Sequence, residues 1–312
     1  MPTSLVTGGG GFIGSHLARS LLARGQRVRI LDNFSTGKPA NIADIQDRVE
    51  LIEGSVADAD VCQRACEGVD FVFHKAAAPS VPKSVEDPQT AHQSNAEGTF
   101  NMLIAARDAK VRRFVFAGSS AAYGELPGLP KSETMGTSPL SPYAVHKIMG
   151  EHYCAVFAQC YGLETISLRY FNVFGPRQDP KSQYAAAIPA FITAIINDQS
   201  PTIYGDGEQT RDFTYIDNVI EANMKAIAAE KTRGEIVNIA CGRKISVNEI
   251  IAEINTALGK NVACNHVGER AGDIKHSWAD IERAKAVIGF EPVVDLAEGL
   301  KRTIAWYQEN PS

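Results

Sequence analysis

The stretch Thr7-Gly8-Gly9-Gly10-Gly11-Phe12-Ile13-Gly14 follows an apolar strand pattern, Ser4–Thr7, and opens an amphipathic helix pattern, Phe12–Arg24. Glycines at such a junction let the chain turn tightly, let backbone approach a pyrophosphate and let the helix pack closely on the strand. The helix N-terminus in turn favours negative charge. The next strand pattern, Arg27–Asp32, ends in an acid eighteen residues past Gly14. A carboxylate there accepts hydrogen bonds from the hydroxyls of an adenosine ribose and repels a 2′-phosphate. The order strand, glycine loop, helix, strand, acid therefore predicts a dinucleotide site that takes NAD rather than NADP.

The same alternation continues along the first half of the chain. Strand patterns at Val49–Glu53, Phe71–His74, Arg113–Ala117 and Glu164–Tyr170 are separated by helical patterns at Ala59–Glu67, Thr90–Ala109 and Pro142–Tyr161. Repeated strand–helix units feed a parallel sheet. The segment from Phe171 to Asp212 changes character, being rich in Pro, Gly and Gln around one apolar helix, and reads as the start of a second lobe. Asp217–Glu230 reads as a helix and Glu235–Ile239 as a strand returning to the sheet; Val247–Gly259 and Asp280–Gln308 read as mainly helical. The expected division is a nucleotide domain over 1–170 plus about 213–240, and a substrate domain over 171–212 plus 241–312. The 312 residues carry 31 basic and 36 acidic side chains, a formal charge of -5. That balance argues against nucleic-acid binding, which rests on phosphate neutralisation, and leaves room for a local basic site for a small anion. The longest apolar run, Ala185 to Ile196, is too short for a membrane span. The N-terminus lacks an export pattern, and six sparse cysteines without a CxxC pair read as reduced thiols of a cytoplasmic protein. Cysteine and histidine form no metal-binding pattern; Cys264-Asn265-His266 is an isolated pair.

Pro142-Tyr143-Ala144-Val145-His146-Lys147 puts Tyr143 and Lys147 four residues apart at a helix start, hence on one face. A phenol ionising near 10 is a weak base at neutral pH, and a close ammonium lowers that value. The apolar strand Phe114–Ala117 leads into Gly118-Ser119-Ser120. In a parallel sheet these hydroxyls lie at the carboxyl end, where ligands bind.

With these motifs the chain resembles the extended short-chain dehydrogenase/reductases, and among them the nucleotide-sugar epimerases and dehydratases. The resemblance spans essentially the whole chain. It also rests on Leu31-Asp32-Asn33, His74-Lys75-Ala76-Ala77, Asn95 in SNAEGTF, Ser119-Ser120 in SSAAYG, Arg169-Tyr170-Phe171-Asn172-Val173-Phe174-Gly175-Pro176-Arg177, Arg211-Asp212-Phe213 and Arg270-Ala271-Gly272-Asp273. It implies an α/β fold: a Rossmann-type doubly wound parallel sheet with a smaller, mainly helical C-terminal substrate lobe. It also implies NAD on Gly8, Gly11 and Gly14 at the diphosphate and Asp32 at the adenosine ribose. Asn95, Tyr143, Lys147 and Tyr170 fall to the nicotinamide half, and Phe12, Ile13, Asn33, Ser35, Thr36, Gly37, Ser55, Val56, Ala76 and Ala77 complete the cofactor set. Ser55 is a departure, standing where the family usually has an Asp against the adenine. For a sugar nucleotide, the pattern implies Asn172 at the diphosphate-sugar linkage, Arg211 and Arg270 at the diphosphate, and Tyr204 with Asp273 near the nucleoside. Two guanidinium forks suit a diphosphate.

The resemblance also bears on the reaction. Dehydratases and decarboxylases of the family carry a carboxylate beside the hydroxyl position; this chain has Ser120 and Ala121 there. The expected chemistry is reversible oxidation at sugar C4 through a 4-keto intermediate, with Tyr143 taking the hydroxyl proton, Ser119 holding or relaying it and Lys147 keeping the phenol acidic. Ser277, before Trp278, stands at a size gate, where a serine leaves room for an N-acetyl group. With Lys83 in SVPKS, Gln178 and Ala186, this points to UDP-N-acetylglucosamine and UDP-N-acetylgalactosamine, with UDP-glucose and UDP-galactose alongside. A UDP-glucuronate 4-epimerase is the alternative, with Lys83 or Lys75 as the cation for its carboxylate; a non-catalytic NAD-sensing relative is another. The resemblance further implies a homodimer through the helices read at Thr90–Ala109 and Pro142–Tyr161.

Overall fold

The computed structural model describes residues 1–180, 187–268 and 274–310. Among these, seven parallel strands form one sheet: β1 (Thr3–Thr7), β2 (Arg27–Asp32), β3 (Glu50–Glu53), β4 (Phe71–His74), β5 (Arg113–Ser119), β6 (Thr165–Tyr170) and β7 (Glu235–Ile239), in the spatial order β7-β6-β5-β4-β1-β2-β3. β1, β4 and β6 are buried along their whole length, as expected of strands covered on both faces. One face packs against α1 (Phe12–Ala23) and α8 (Ile216–Ala228) through Leu17, Leu21, Ile30, Val115, Leu168 and Val219. The other packs against α2 (Ala59–Cys66), α5 (Gly98–Asp108) and α6 (Pro142–Tyr161) through Cys62, Met102, Leu103, Phe114, Phe116 and Phe157. The chain order reverses between β1 and β4, so the loops after these strands diverge and leave a crevice at their carboxyl ends.

β7 lies parallel beside β6, with Glu235 opposite Ile166 and Ile239 opposite Tyr170. Arg113 at the start of β5 fastens this edge. Its guanidinium donates to the Ala226 and Ala229 carbonyls at the end of α8 and pairs with Glu164. A smaller lobe holds α7 (Ala187–Ile196), α9 (Val247–Leu258) and α11 (Leu296–Glu309), packed on one another, with short strand pairs such as Thr202–Tyr204 with Asn265–Val267.

Two elements differ from the sequence expectation, and a third, read as mainly helical, is divided. The single helix expected over Thr90–Ala109 is composite: α4 (Pro88–His92), a π-helical turn at Gln93–Glu97, then α5. A short α3 (Val81–Glu86) precedes it, capped by Ser80, whose hydroxyl accepts the Lys83 amide; six residues are too few to show a period. The stretch Asp280–Gln308 splits into α10 (Glu282–Ile288) and α11 because Gly289, at φ +64°, ends the first helix in the left-handed region and Pro292 follows.

Candidate active site

The glycine loop runs from β1 into α1. Gly8 takes φ +70°, and a Cβ there would lie 2.8 Å from the Ala76 nitrogen; a Cβ on Gly14 would collide with the Gly8 carbonyl. No larger residue preserves this loop. Gly11 caps α1 with no side-chain hydrogen bond, so the first amides of the helix, beginning at Phe12 and Ile13, have no side-chain acceptor and suit an anion. Asp32, buried at the end of β2, accepts from the Gly10 amide at 2.8 Å and from the Phe34 amide at 2.8 Å. The carboxylate is thereby fixed against the loop. Gly37 folds back onto Gly10, the Asn33 side chain accepts from the Ser35 amide and hydroxyl, and Thr36 is exposed beside them. These residues fit a dinucleotide: a cradle that side chains would fill, a helix end for its phosphates and an acid for its ribose.

The next wall is the loop after β4. Thr7 is its hub: its hydroxyl accepts the Lys75 and Ala76 amides and hydrogen-bonds His74 Nδ1, while His74 Nε2 reaches Thr99. Burial pushes the His74 imidazole down to about 3, which keeps it neutral. Asn95, expected to serve the nicotinamide, bonds this loop from the π turn. Its side chain is buried, accepts from the Ala78 amide at 2.7 Å and donates to the Ala78 carbonyl at 3.1 Å. The π turn, a feature frequent at functional sites, turns Asn95 toward this loop, so it shapes the wall carrying Ala76 and Ala77. Ser55 accepts from the Ala57 amide in a local turn, and Val56 is buried.

Tyr143 and Lys147 sit in the first turns of α6, whose N-cap Ser141 accepts the Ala144 amide. Ser119, at the end of β5, acts on the Tyr143 phenol to lower its ionisation. Ser119 also accepts from the Ala121 amide, and Ser120 begins the following 3-10 turn. Lys147 donates to the Ala117 carbonyl at 2.9 Å, with its nitrogen 5.6 Å from the Tyr143 ring centre. The electrostatics differ from the sequence expectation. Burial raises the Tyr143 phenol above its ordinary range despite Ser119, which lowers it, and brings the Lys147 ammonium down to about 8, opposed by Glu151. In the protein alone, burial favours the protonated phenol.

Several supporting residues escaped the sequence reading. Glu151, four residues beyond Lys147, pairs with Arg169 through two hydrogen bonds of 2.8 and 2.7 Å, both side chains buried; the i, i+4, i+8 spacing from Tyr143 was the available signal. Ser84 of α3, fully buried, accepts the Tyr143 amide at 3.2 Å and so ties α3 to the start of α6. Tyr170, adjacent to Arg169, faces the opposite side of the sheet, where its hydroxyl meets Lys75 Nζ at 2.9 Å and the Asn223 side-chain nitrogen at 2.9 Å.

On the substrate side, Arg211 donates to the Thr210 and Lys275 carbonyls, and the Ser277 amide donates to the Thr210 carbonyl. Thus Arg211 and Ser277 belong to one local unit. Asp212 does not pair with Arg211: fully buried, it accepts amides of Cys241, Gly242, Arg243 and Ala279. Asn172, exposed, donates to the Asp212 carbonyl, and Tyr204 is 43% exposed. Gln178, expected among the substrate residues, is buried with its side-chain amide on the Val173 carbonyl and its own carbonyl receiving the Tyr307 hydroxyl. Lys83 is exposed on α3. Ala186, Arg270 and Asp273 lie outside the described residues.

Residues 4–240 match the model of the NAD dependent epimerase/dehydratase family. The chain is 40% identical over 308 residues to a putative UDP-glucose 4-epimerase of Methanocaldococcus jannaschii, covering 98% of each. It superposes with a TM-score of 0.94 and 40% identity on the UDP-N-acetylglucosamine 4-epimerase of Methanobrevibacter ruminantium solved with UDP-N-acetylmuramic acid, covering 99% of this chain and 98% of that one. For the UDP-glucose 4-epimerase of Thermus thermophilus in complex with NAD the values are 0.90 and 35%, covering 99% of each. With its glycine cradle, its acid at the end of β2 and its Tyr143–Lys147 face, the chain belongs to the NAD dependent epimerase/dehydratase family and is an NAD-using enzyme of the isomerase class.

Proposed function

We propose that the chain interconverts the C4 epimers of a UDP-sugar, with UDP-N-acetylglucosamine and UDP-N-acetylgalactosamine as its main pair and UDP-glucose and UDP-galactose also accepted. The observation that carries this is the placement of Tyr143 and Lys147 on one face at the start of α6, the Lys147 nitrogen 5.6 Å from the Tyr143 ring centre, with Ser120 and Ala121 following β5 in place of a carboxylate. NAD, held by the glycine loop and Asp32, would supply a hydride acceptor and donor for sugar C4. Tyr143 takes the C4 hydroxyl proton, Ser119 holds that proton's path, and Lys147 supplies the positive charge that opposes the burial of the phenolate. The 4-keto sugar turns within the pocket and receives hydride on its other face. Arg211 and Arg270 are assigned to the diphosphate, with Asn172 at the linkage and Tyr204 and Asp273 near the nucleoside.

Small Ser277 supports the N-acetylated pair. Ser277→Tyr is expected to suppress turnover of that pair and spare UDP-galactose; equal loss of both rejects the gate. Of the two cations considered for a uronate, Lys75 is engaged by Tyr170, which leaves Lys83. NMR of the purified protein with UDP-glucose, UDP-N-acetylglucosamine, UDP-glucuronate and their C4 epimers, without added NAD, tests reaction, substrate and retained cofactor together. A panel that returns only unchanged sugars overturns the proposed reaction. We also assign a homodimer through α5 and α6, and the cytoplasm as its compartment, in keeping with six free thiols.

A further inference from the structure

Asn238 is fully buried on β7, and the chemistry above makes no use of it. Its neighbours Val237 and Ile239 belong to the core under α1 and α8, so the alternation of the strand turns Asn238 the other way, toward the small cluster of Tyr123, Phe171, Ala240 and Ala279. There the amide oxygen accepts the Tyr123 hydroxyl at 2.7 Å, and the amide nitrogen donates to the Lys131 carbonyl at 2.9 Å and the Asp280 carbonyl at 3.2 Å, so both of its hydrogens are engaged. The two sides of this junction lead to different parts of the site. Tyr123 closes the 3-10 turn Ser120–Tyr123 that follows Ser119, and its ring centre lies 4.7 Å from the Arg169 guanidinium, which Glu151 holds. Asp280 ends a segment bonded at every residue: the Ser277 amide to the Thr210 carbonyl, the Trp278 carbonyl to the Lys131 amide, the Ala279 amide to Asp212, and the Asp280 amide to the Lys131 carbonyl. A segment held in this way yields to a ligand only by breaking several bonds together.

We propose that Asn238 is a positioning residue that sets the spacing between the turn carrying Ser119 and Ser120 and the wall at Ser277, and through that spacing a determinant of which sugar is accepted. The role rests on the C4 epimerisation proposed above, with Ser277 as its gate. Discrimination by the size of one substituent needs a wall that holds its place, and the bonds of Asn238 to Lys131 and Asp280 tie that wall to the edge of the sheet. The N-acetyl group is the part of the substrate assigned to Ser277, so slack in the wall falls on the N-acetylated pair. Slack in the turn instead displaces Ser119 relative to Tyr143 and slows both pairs alike.

The chain has two tryptophans, Trp278 in the wall and Trp306 on α11. In the purified holoenzyme carrying Trp306→Phe, acrylamide quenching of Trp278 fluorescence therefore reports the wall without any turnover. Asn238→Ser is expected to raise the quenching constant at least about twofold and to lower the ratio of kcat/KM for UDP-N-acetylglucosamine over UDP-glucose at least about fivefold. Tyr123→Phe frees the turn and leaves both carbonyl bonds; it is expected to lower kcat for both sugars about tenfold and to keep that ratio within about twofold. Val237→Ala opens a cavity on the other face of the same strand and should move neither the quenching nor the ratio, which separates positioning from a general loss of stability. An Asn238→Ser variant with wild-type quenching overturns the proposal, as does one with a loosened wall and the wild-type ratio. If Asn238→Ser does not fold, Tyr123→Phe decides: wild-type kcat overturns the proposal, and a fall in kcat at an unchanged ratio supports it. If Trp278 loosens as expected while the wild-type protein epimerises none of the UDP-sugars, Asn238 keeps its hold on the wall and the proposed reaction fails.

Discussion

Tyr143 and Lys147 lie one helical turn apart, and burial moves both ionisations away from their ordinary values in directions that favour the neutral forms. Tyr143→Phe keeps the ring and removes the proton acceptor, so kcat should fall by at least about 100-fold with KM little changed; ordinary turnover of a UDP-sugar pair by this variant would reject Tyr143 as the base. For Lys147, the folded chain releases its proton near 8, against an ordinary value of 10.5. Between those values the unfolded chain binds more protons, so the stability of the cofactor-free protein rises with pH across that window. Below it the buried charge is a constant penalty of about 3 kcal/mol, at about 1.4 kcal/mol per pKa unit. Denaturation of wild type and Lys147→Met at about pH 7 and about pH 10 should show the wild type gaining about 2 kcal/mol on the variant at the higher pH. An unchanged difference between the two proteins would refute the assigned ionisation.

At the scale of elements, α6 is held to the sheet by a polar bond as well as by apolar packing. The Glu151–Arg169 pair joins its middle to β6, with both side chains removed from solvent. Removing one partner leaves a buried charge uncompensated, a loss of about 3–5 kcal/mol. Arg169→Met should therefore lower denaturation midpoints strongly, whereas Glu151→Gln should in addition push the Lys147 ionisation further down, because Glu151 is the group that raises it. A Glu151→Gln variant whose Lys147 titrates as in the wild type, by NMR of the lysine side chain, would contradict that coupling. The start of α6 is secured by Ser84, which donates to the Val81 carbonyl and accepts the Tyr143 amide. Ser84→Ala should lower kcat several-fold through misplacement of Tyr143, with the sugar KM nearly unchanged; a rise in KM alone would show that α3 serves binding only.

For the whole molecule, the outer face of α5 and α6 is the feature that a single chain leaves open. Phe100, Val145, Val156 and Tyr161 are 37%, 48%, 46% and 53% exposed, and Phe100 contacts the rings of Tyr153 and Phe157. An apolar face of this kind suits burial against its own copy. Sedimentation should give a dimer, and Val156→Glu together with Phe100→Glu should give a folded monomer; a wild-type monomer at micromolar concentration would sink the assignment.

The motif order in the chain by itself determined the sheet and the family. Residue periodicity marked Arg27–Asp32, Phe71–His74, Pro142–Tyr161 and Glu235–Ile239 with the bounds they have in the structure, because strand and helix patterns follow from local alternation of apolar side chains. The glycine loop and the Tyr143–Lys147 spacing were legible for the same reason: both are local geometries. The π turn, the commitment of Asn95 to Ala78, the turning of Gln178 toward Val173 and the reach of Lys75 to Tyr170 were not. Each depends on which residue lies opposite across 5 to 95 positions of chain. The ionisation of Tyr143 belongs with them: spacing placed a lysine beside the phenol, but only the packed structure decides how much water the phenol loses, and here that loss raises its ionisation.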